Sequence, residues 1–158
     1  MTTKDIINYS FNDVVSNIQR MVNESVLNPI VRELAIEITS NTDDPIALIY
    51  DWVNANVKYV PDPFGIELIT SPIRMVNDYR DGKDLAEDCD GQALFVAALI
   101  RSLGIPAHVA ILNTGGITWD HAVAIAYSTK LGREIIVDPT TKFPLGWEEH
   151  YFARYDVE

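Results

Sequence analysis

Three residues in the second half of the chain have the types and the order that covalent acyl transfer requires. Cys89 is the only cysteine, His121 begins an alternating apolar run, and Asp138 directly precedes a proline. A thiol nucleophile, an imidazole base and a carboxylate that orients the imidazole form the working set of a cysteine hydrolase. Each residue alone more often has a structural role, as a buried apolar side chain, a packed histidine or a turn former. Their joint placement at the ends of elements predicts a site.

The position of Cys89 predicts a reactive thiol. It lies in an acidic segment, residues 87–91, just where an almost wholly apolar helix over residues 93–103 should begin. The unpaired N–H groups and the positive end of a helix lower the pKa of a thiol, and they can hold an oxyanion. Three flanking carboxylates oppose the thiolate, namely Glu87, Asp88 and Asp90. We expect one of them to cap the helix. His121 must then supply much of the activation.

The strands that follow predict where His121 and Asp138 lie. His121, Val123 and Ile125 alternate and share one face of a sheet, and their bulk predicts that this face lies under the apolar helix. His121 would then be close to the N-terminus of that helix. Asp138 ends the next strand, so it can reach the imidazole if the two strands are adjacent. Asp120 is the alternative partner, but in an ideal strand its side chain points to the opposite face.

The elements that position these residues predict an α+β fold. Helices are predicted in the first third, where apolar residues recur at helical spacing from Phe11 and where Asn28-Pro29 and Asp44-Pro45 supply helix starts. A short extended segment at 58–60, a surface loop over 62–70 and a helix after Ser71-Pro72 follow. Beyond the apolar helix, three extended runs are predicted to form an antiparallel meander, at about 107–112, 120–127 and 134–138. The helix should pack on this small sheet.

Composition limits the classes of function. The 158 residues, 47% of them hydrophobic, suit one domain with a helical part over about 5–58, a catalytic core over about 59–140 and a C-terminal extension over 141–158. Twelve Lys and Arg against 23 Asp and Glu give a formal net charge of -11, which argues against nucleic acid and against an anionic membrane surface. A single cysteine excludes an intramolecular disulfide. With no apolar run of a signal peptide or a membrane span, we expect a cytoplasmic protein.

Several segments resemble the motifs of the transglutaminase-like superfamily. Residues 88–94, which run on to the Leu-Gly-Ile-Pro-Ala of 103–107, resemble its cysteine-helix motif. His121-Ala122-Val123 and Val137-Asp138-Pro139-Thr140 are similar to its histidine and aspartate motifs, in the same order, and the resemblance covers roughly residues 44–140. It implies a papain-like core in which Cys89 is the nucleophile, His121 is base and then acid, and Asp138 orients the ring.

Features of other branches of that superfamily are missing. The chain is too short for the multidomain animal transglutaminases, and nothing suggests their calcium sites. It has no paired Cys-x-x-Cys zinc motif of the peptide N-glycanases and no Arg-Gly-Gly-x-Cys of the arylamine acetyltransferases. The chain is therefore similar to the small microbial or phage-borne members, a resemblance that implies hydrolysis more than cross-linking.

We therefore expect hydrolysis of a peptide, isopeptide or other amide bond in a peptide or protein substrate, without a cofactor. Two alternatives are a protein-glutamine transamidase and a non-catalytic binding or assembly module that uses the helices over residues 11–38 as its partner surface. Tyr59 is a candidate second oxyanion donor or a packed aromatic, and Trp119 either walls the substrate groove or packs. Asp90, next to the nucleophile, is a further oxyanion or substrate candidate.

The two other histidines are weaker candidates. His108 lies within a strand and on parity faces away from the site, whereas His150 could close a pocket near the C-terminus. A metal site could be assembled from the three proposed catalytic residues and either of these histidines. No ligand pair has tight helical or loop spacing, so we expect no metal.

Overall fold

The computed structural model describes residues 5–7, 10–63, 67–141 and 143–158. Within these residues the chain forms five helices and eight strands. The helices are α1 (Phe11–Val26), α2 (Pro29–Ile38), α3 (Pro45–Asn56), α4 (Pro72–Arg80) and α5 (Cys89–Ser102). The strands are β1 (Asp5–Ile7), β2 (Val57–Tyr59), β3 (Glu67–Ile69), β4 (Leu85–Glu87), β5 (Ala107–Asn113), β6 (His121–Ser128), β7 (Arg133–Val137) and β8 (Ala153–Val157). The predicted α+β class is confirmed.

The helices begin where capping chemistry predicts. Asn28 accepts a hydrogen bond from the Ile30 N–H at the start of α2, and Asp44 accepts one from the Ala47 N–H at the start of α3. Prolines follow these caps at the first helical position, where the missing N–H costs nothing. Ser71 caps α4 in the same way. None of the helices within the described residues has the length and the apolar character that crossing a membrane requires.

The main sheet has four antiparallel strands in the order β7-β6-β5-β8. The predicted meander supplies the first three of these strands. The fourth, β8, pairs with the free edge of β5 in a register that sets Val109 against Val157. The C-terminal extension therefore contributes a strand to the sheet, which the sequence did not predict.

Two small sheets lie outside the main one. The surface loop predicted over residues 62–70 is wrong for residues 67–69, which form β3 and pair with β1; residues 64–66 lie outside the described residues. The second small sheet joins β2 and β4 in parallel, with Tyr59 opposite Glu87. It brings β2 beside the residues that immediately precede Cys89.

Helix α5 is the centre of the core, as predicted, with every side chain from Leu94 to Ile100 fully buried. The predicted face of β6 is wrong, however. Ala122 and Ala124 belong to the same apolar cluster as α5, whereas Val123 and Ile125 form a second cluster with Ala110, Leu112 and Ile136. Small side chains allow the helix to approach the sheet closely, so bulk marks the opposite face.

Candidate active site

Cys89 is the first residue of α5, and the N-cap before it is Asp88. The Asp88 Oδ1 accepts the Gly91 N–H at 3.3 Å, which fixes the first turn of the helix. The prediction that one of the flanking carboxylates caps the helix is confirmed. The strand β4, which leads directly into this segment, is held by its pairing with β2 in the small parallel sheet.

His121 and Asp138 form a direct pair. The His121 Nε2 lies 2.7 Å from the Asp138 Oδ2, and the other carboxylate oxygen, Oδ1, accepts the Thr140 N–H at 3.0 Å and the Thr140 hydroxyl at 2.6 Å. Asn54 of α3 holds the same turn through a 2.7 Å bond to the Pro139 carbonyl. Because ionised Asp138 only accepts hydrogen bonds, His121 carries its proton on Nε2 and leaves Nδ1 as the basic nitrogen.

The charges of this pair support each other. Burial opposes a charge on His121, but the hydrogen bond to Asp138 and the nearby carboxylates of Asp138, Glu149 and Asp90 outweigh it and raise the pKa of the ring. Burial likewise opposes the charge on Asp138, yet the bonds from His121 and Thr140 lower the pKa of its carboxyl. The pair is thus built to stabilise an imidazolium next to a carboxylate.

A cleft of about 420 Å³ joins the thiol to this pair, since both Cys89 and His121 line it. Its walls combine aromatic and acidic side chains, namely Phe11, Trp119, Asp88, Asp90 and Asp120. The predicted proximity of His121 to the N-terminus of α5 is therefore found, although the reasoning from the bulky face of β6 is wrong.

The thiol of Cys89 is protonated at neutral pH, contrary to the prediction of a lowered pKa. Burial and the carboxylates of Asp90 and Asp88 raise the pKa of Cys89 well above its usual range, and the backbone N–H of Ala122 acts in the opposite direction. Within the described part of the chain, the sulfur donates to the Asp90 Oδ1 at 3.8 Å rather than to His121. The helix N-terminus alone does not produce a thiolate here.

Asp88 has a raised pKa of its own, which limits its effect on the thiol at neutral pH. Burial, the charge of Asp90 and contact with Asp62 raise the pKa of Asp88 to about 8, so its carboxyl is mostly protonated at neutral pH. One oxygen of the protonated group still caps α5. A neutral Asp88 also spares the thiol one negative charge, which leaves Asp90 as the carboxylate that opposes ionisation most directly.

Of the three tentative oxyanion and substrate residues, Asp90 and Trp119 line the cleft with Cys89, whereas Tyr59 is not among the lining residues. Tyr59 is 55% exposed, and burial raises the pKa of its phenol, as do Cys89 and Asp88 once they ionise at high pH, so the hydroxyl stays a donor. Trp119 lines the cleft and also stacks on Phe11 with ring centroids 5.4 Å apart. It therefore fulfils both predicted alternatives. Phe11 was missed as a site residue because its spacing assigned it to the scaffold stripe of α1.

The alternative residues are engaged elsewhere. Asp120 accepts hydrogen bonds from the N–H and the hydroxyl of Thr114, both at 2.9 Å, and so closes the β5–β6 loop instead of orienting His121. His108 pairs with Asp156 of β8 at 2.7 Å, and His150 packs edge-on against Phe152. Neither histidine joins the site.

Sequence reasoning also missed Glu149. Its carboxylate belongs to a cluster with His121 and Asp138 in which potential metal-ligand atoms all lie within 4.8 Å of one another. No spacing signal could have revealed it, because Glu149 follows a run without regular structure between β7 and β8.

A model of the transglutaminase-like superfamily matches residues 32–139, which is more than half of the chain. The chain therefore belongs to the transglutaminase-like superfamily, whose members are typically enzymes of the cysteine-protease type. The resemblance drawn from the three motifs is confirmed. Among curated proteins, none matches the sequence significantly.

Two solved structures share the fold. A candidate protease of Parabacteroides distasonis superposes with a TM-score of 0.56 at 14% identity, over 84% of this chain and 26% of that one. A candidate cysteine protease of Cytophaga hutchinsonii gives a TM-score of 0.55 at 23% identity, over 75% of this chain and 42% of that one. The chain thus spans between about a quarter and about two fifths of these proteins. The likeness establishes the papain-like fold.

Proposed function

We propose that the chain is a cysteine-dependent acyl-transfer enzyme that hydrolyses a peptide, isopeptide or other amide bond. The observation that supports this most is the shared cleft, where Cys89 begins a buried helix and His121 is bonded to Asp138 at 2.7 Å. A nucleophile, a base and an orienting carboxylate are the three parts of covalent catalysis. The substrate is a peptide or protein, and the scheme needs no cofactor.

The raised pKa of Cys89 determines how the first step proceeds. Because the resting sulfur holds its proton, the His121 Nδ1 removes that proton as the sulfur attacks the substrate carbonyl, instead of sharing a standing thiolate–imidazolium pair. The S–C bond forms, and the carbonyl oxygen becomes an oxyanion. The backbone N–H of Cys89 and the hydroxyl of Tyr59 are the donors that we assign to this oxyanion.

The second step returns the proton. His121, now an imidazolium stabilised by Asp138, protonates the leaving amine as the C–N bond breaks, which leaves a thioester on Cys89. Water, deprotonated by the same Nδ1, then releases the acid and restores the thiol. An amine in place of water would give transamidation, so the two reactions differ only in the acceptor.

Alkylation of Cys89 across pH tests the triad. We expect the iodoacetamide rate of the wild-type protein to rise only at a pH above the pKa of a free thiol, about 8.5. At neutral pH, the rate should be lower in His121→Ala than in the wild-type protein. Cys89→Ala is the unreactive control. A midpoint close to that of a free thiol, unchanged in His121→Ala, would contradict the proposal.

A non-catalytic binding module is the alternative that the buried, protonated thiol favours. Exposed apolar side chains on and beside the N-terminal helices, Leu27 at 85% and Ile36 at 45%, would then belong to the partner surface. Intact-mass spectrometry after incubation with peptide thioesters separates the two functions. An acyl adduct on wild type that is absent from Cys89→Ala supports the enzyme, whereas no adduct and equal partner binding by both proteins supports the module.

A further inference from the structure

Glu149 places a second carboxylate beside the imidazole that Asp138 already holds. It comes from the segment between β7 and β8, beyond the residues 32–139 matched by the family model. Its carboxylate, the His121 ring nitrogen and the Asp138 carboxylate all lie within 4.8 Å of one another, and Glu149 is half-buried. Three groups from three parts of the chain thus lie close together at the His121 ring.

Asp138 and Glu149 act differently on the ring. Asp138 has both oxygens occupied, one by His121 and one by Thr140, so it fixes the orientation of the ring. Glu149 adds negative charge. Among the groups that raise the pKa of His121, it comes after Asp138 and before Asp90 in the size of its effect. The other titratable groups that face His121 are the thiol of Cys89 on α5 and the carboxylate of the adjacent Asp120.

A metal ion is the other explanation for such a cluster, but one distance argues against it. The His121 Nε2 and the Asp138 Oδ2 are 2.7 Å apart, which is the length of a charge-assisted hydrogen bond. Two ligands of a tetrahedral zinc ion, each at about 2.0–2.1 Å, are roughly 3.3 Å apart. The observed spacing fits a shared proton.

We propose that Glu149 acts through His121, by stabilising the protonated form of its ring. In the proposed reaction this is the form that exists after the thiol proton reaches Nδ1 and before that proton passes to the leaving amine. The role in catalysis rests on the proposed function, but the effect on the ring itself does not. Glu149 is thus a third contributor to the imidazolium, together with Asp138 and Asp90.

Two matched variants test this directly. Glu148 is the adjacent carboxylate, is exposed, and pairs with Arg133 at 3.3 Å, so Glu148→Gln removes the same charge one residue away. The titration of the three histidines can be followed by NMR with carbon-labelled histidine, in a Cys89→Ala background without turnover and with EDTA present. Loss of the signal in His121→Ala assigns its resonance.

We expect Glu149→Gln to lower the titration midpoint of His121 by roughly 0.5–1 pH unit, whereas Glu148→Gln leaves it unchanged. An unchanged midpoint in Glu149→Gln, or an equal shift in both variants, overturns the proposal. So does a titration that is absent without EDTA and restored by it, because a bound metal would then occupy the cluster.

A measurement of activity against pH tests the role of Glu149 in catalysis separately from the NMR titration. If the protein hydrolyses peptides, the acid limb of kcat/KM in Glu149→Gln should move to lower pH, because a less basic ring is unprotonated at lower pH. Its maximum should fall several-fold, since the imidazolium is less stable. A limb and a maximum that match those of Glu148→Gln would refute the catalytic role. If no acyl adduct forms on Cys89, the proposed function fails while the NMR result for Glu149 still stands.

Discussion

The protonation state of Cys89 is set by its nearest neighbours. The helix N-terminus and the Ala122 N–H favour a thiolate, but burial and the adjacent carboxylates outweigh them. The sequence already contained this conflict, since both effects follow from residues 87–91. Only the structure shows which effect is larger, because burial depends on the whole fold. In the proposed reaction, the base His121 therefore has to act during the attack.

Asp88 offers a test of these charges through stability. Its pKa is raised from 3.8 to about 8, so the folded protein binds more protons than the unfolded chain between these values. The contribution of Asp88 to stability is therefore greatest below pH 3.8 and is lost as pH rises toward 8. Asparagine cannot ionise and remains a good N-cap. We expect Asp88→Asn to be more stable than wild type at pH 9 by on the order of 1 kcal/mol, measured by urea unfolding.

The matching control for this variant is Asp120→Asn. Although burial opposes its charge, hydrogen bonds from Thr114 and Gly115 lower the pKa of Asp120, so its charged form stabilises the fold above the ordinary carboxyl range. Asp120→Asn should therefore lose stability at pH 9. Equal effects of the two substitutions, or an Asp88→Asn gain that is as large at pH 5 as at pH 9, would contradict the account.

At the residue level, the sequence predicted what lies at the ends of strong elements. Cys89, His121 and Asp138 flank a long apolar helix and two alternating strands, so their positions could be read from the pattern. Phe11 and Glu149 reach the same site through tertiary contacts of distant segments. Nothing in their local spacing distinguishes them from other surface or scaffold residues.

At the element level, the start of α5 depends on one glycine. A Cβ at Gly91 would lie 2.9 Å from the Glu87 Cβ and 2.6 Å from its Cδ, well inside the 3.5–4.0 Å of ordinary carbon contacts. Glu87 is buried at the end of β4 and has little room to move. The absence of a side chain at Gly91 thus allows β4 and α5 to approach closely on either side of Cys89.

We therefore expect Gly91→Ala to destabilise the protein by about 1–3 kcal/mol. Helix propensity alone predicts the opposite, a gain of about 1 kcal/mol from replacing glycine in a helix. Urea unfolding of the variant distinguishes the two by the sign of the change. A stabilised Gly91→Ala protein would mean that Glu87 does not limit the helix start.

The elements were predicted unequally for physical reasons. Long helices were predictable because caps, prolines and apolar periodicity all agree, as at Asn28-Pro29. The strands β3 and β4 have three residues each, which is too short for alternation to appear. The strand β8 contains charged and aromatic residues, among them the Arg154–Asp156 pair, so it lacks the apolar alternation that predicts a strand. The face of β6 was assigned wrongly because close helix packing favours alanine.

At the scale of the whole molecule, the cleft is assembled from segments that are far apart in the sequence. Phe11 of α1 stacks on Trp119, and Tyr155 of β8 meets Phe11 edge-on at 5.2 Å. Phe11 and Trp119 thus line one wall of the cleft, and Tyr155 packs against these two rings. The helices that the sequence assigned to a scaffold also shape the cleft.

The charge of the whole molecule predicts a substrate preference, provided that the chain is a hydrolase. The net charge is -11, and the described residues that line the cleft include the carboxylates of Asp90 and Asp120 but no Lys or Arg. A peptide with lysine beside the cleaved bond should have a kcat/KM roughly tenfold higher than its glutamate counterpart at low salt. The ratio should approach one in 0.5 M NaCl, since added salt screens these charges. A ratio independent of salt would exclude electrostatic selection.

The protonated thiol has a consequence for the lifetime of the protein. Peroxides oxidise thiolates far faster than thiols, and the reaction proceeds to sulfinic and sulfonic acids that are not reduced again. A site that kept a standing thiolate would be exposed to this damage whenever the cleft was empty. Here burial and Asp90 keep the proton on Cys89, and in the proposed reaction His121 removes it only during the attack. We therefore expect the acidic residues around Cys89 to slow oxidation of the sulfur.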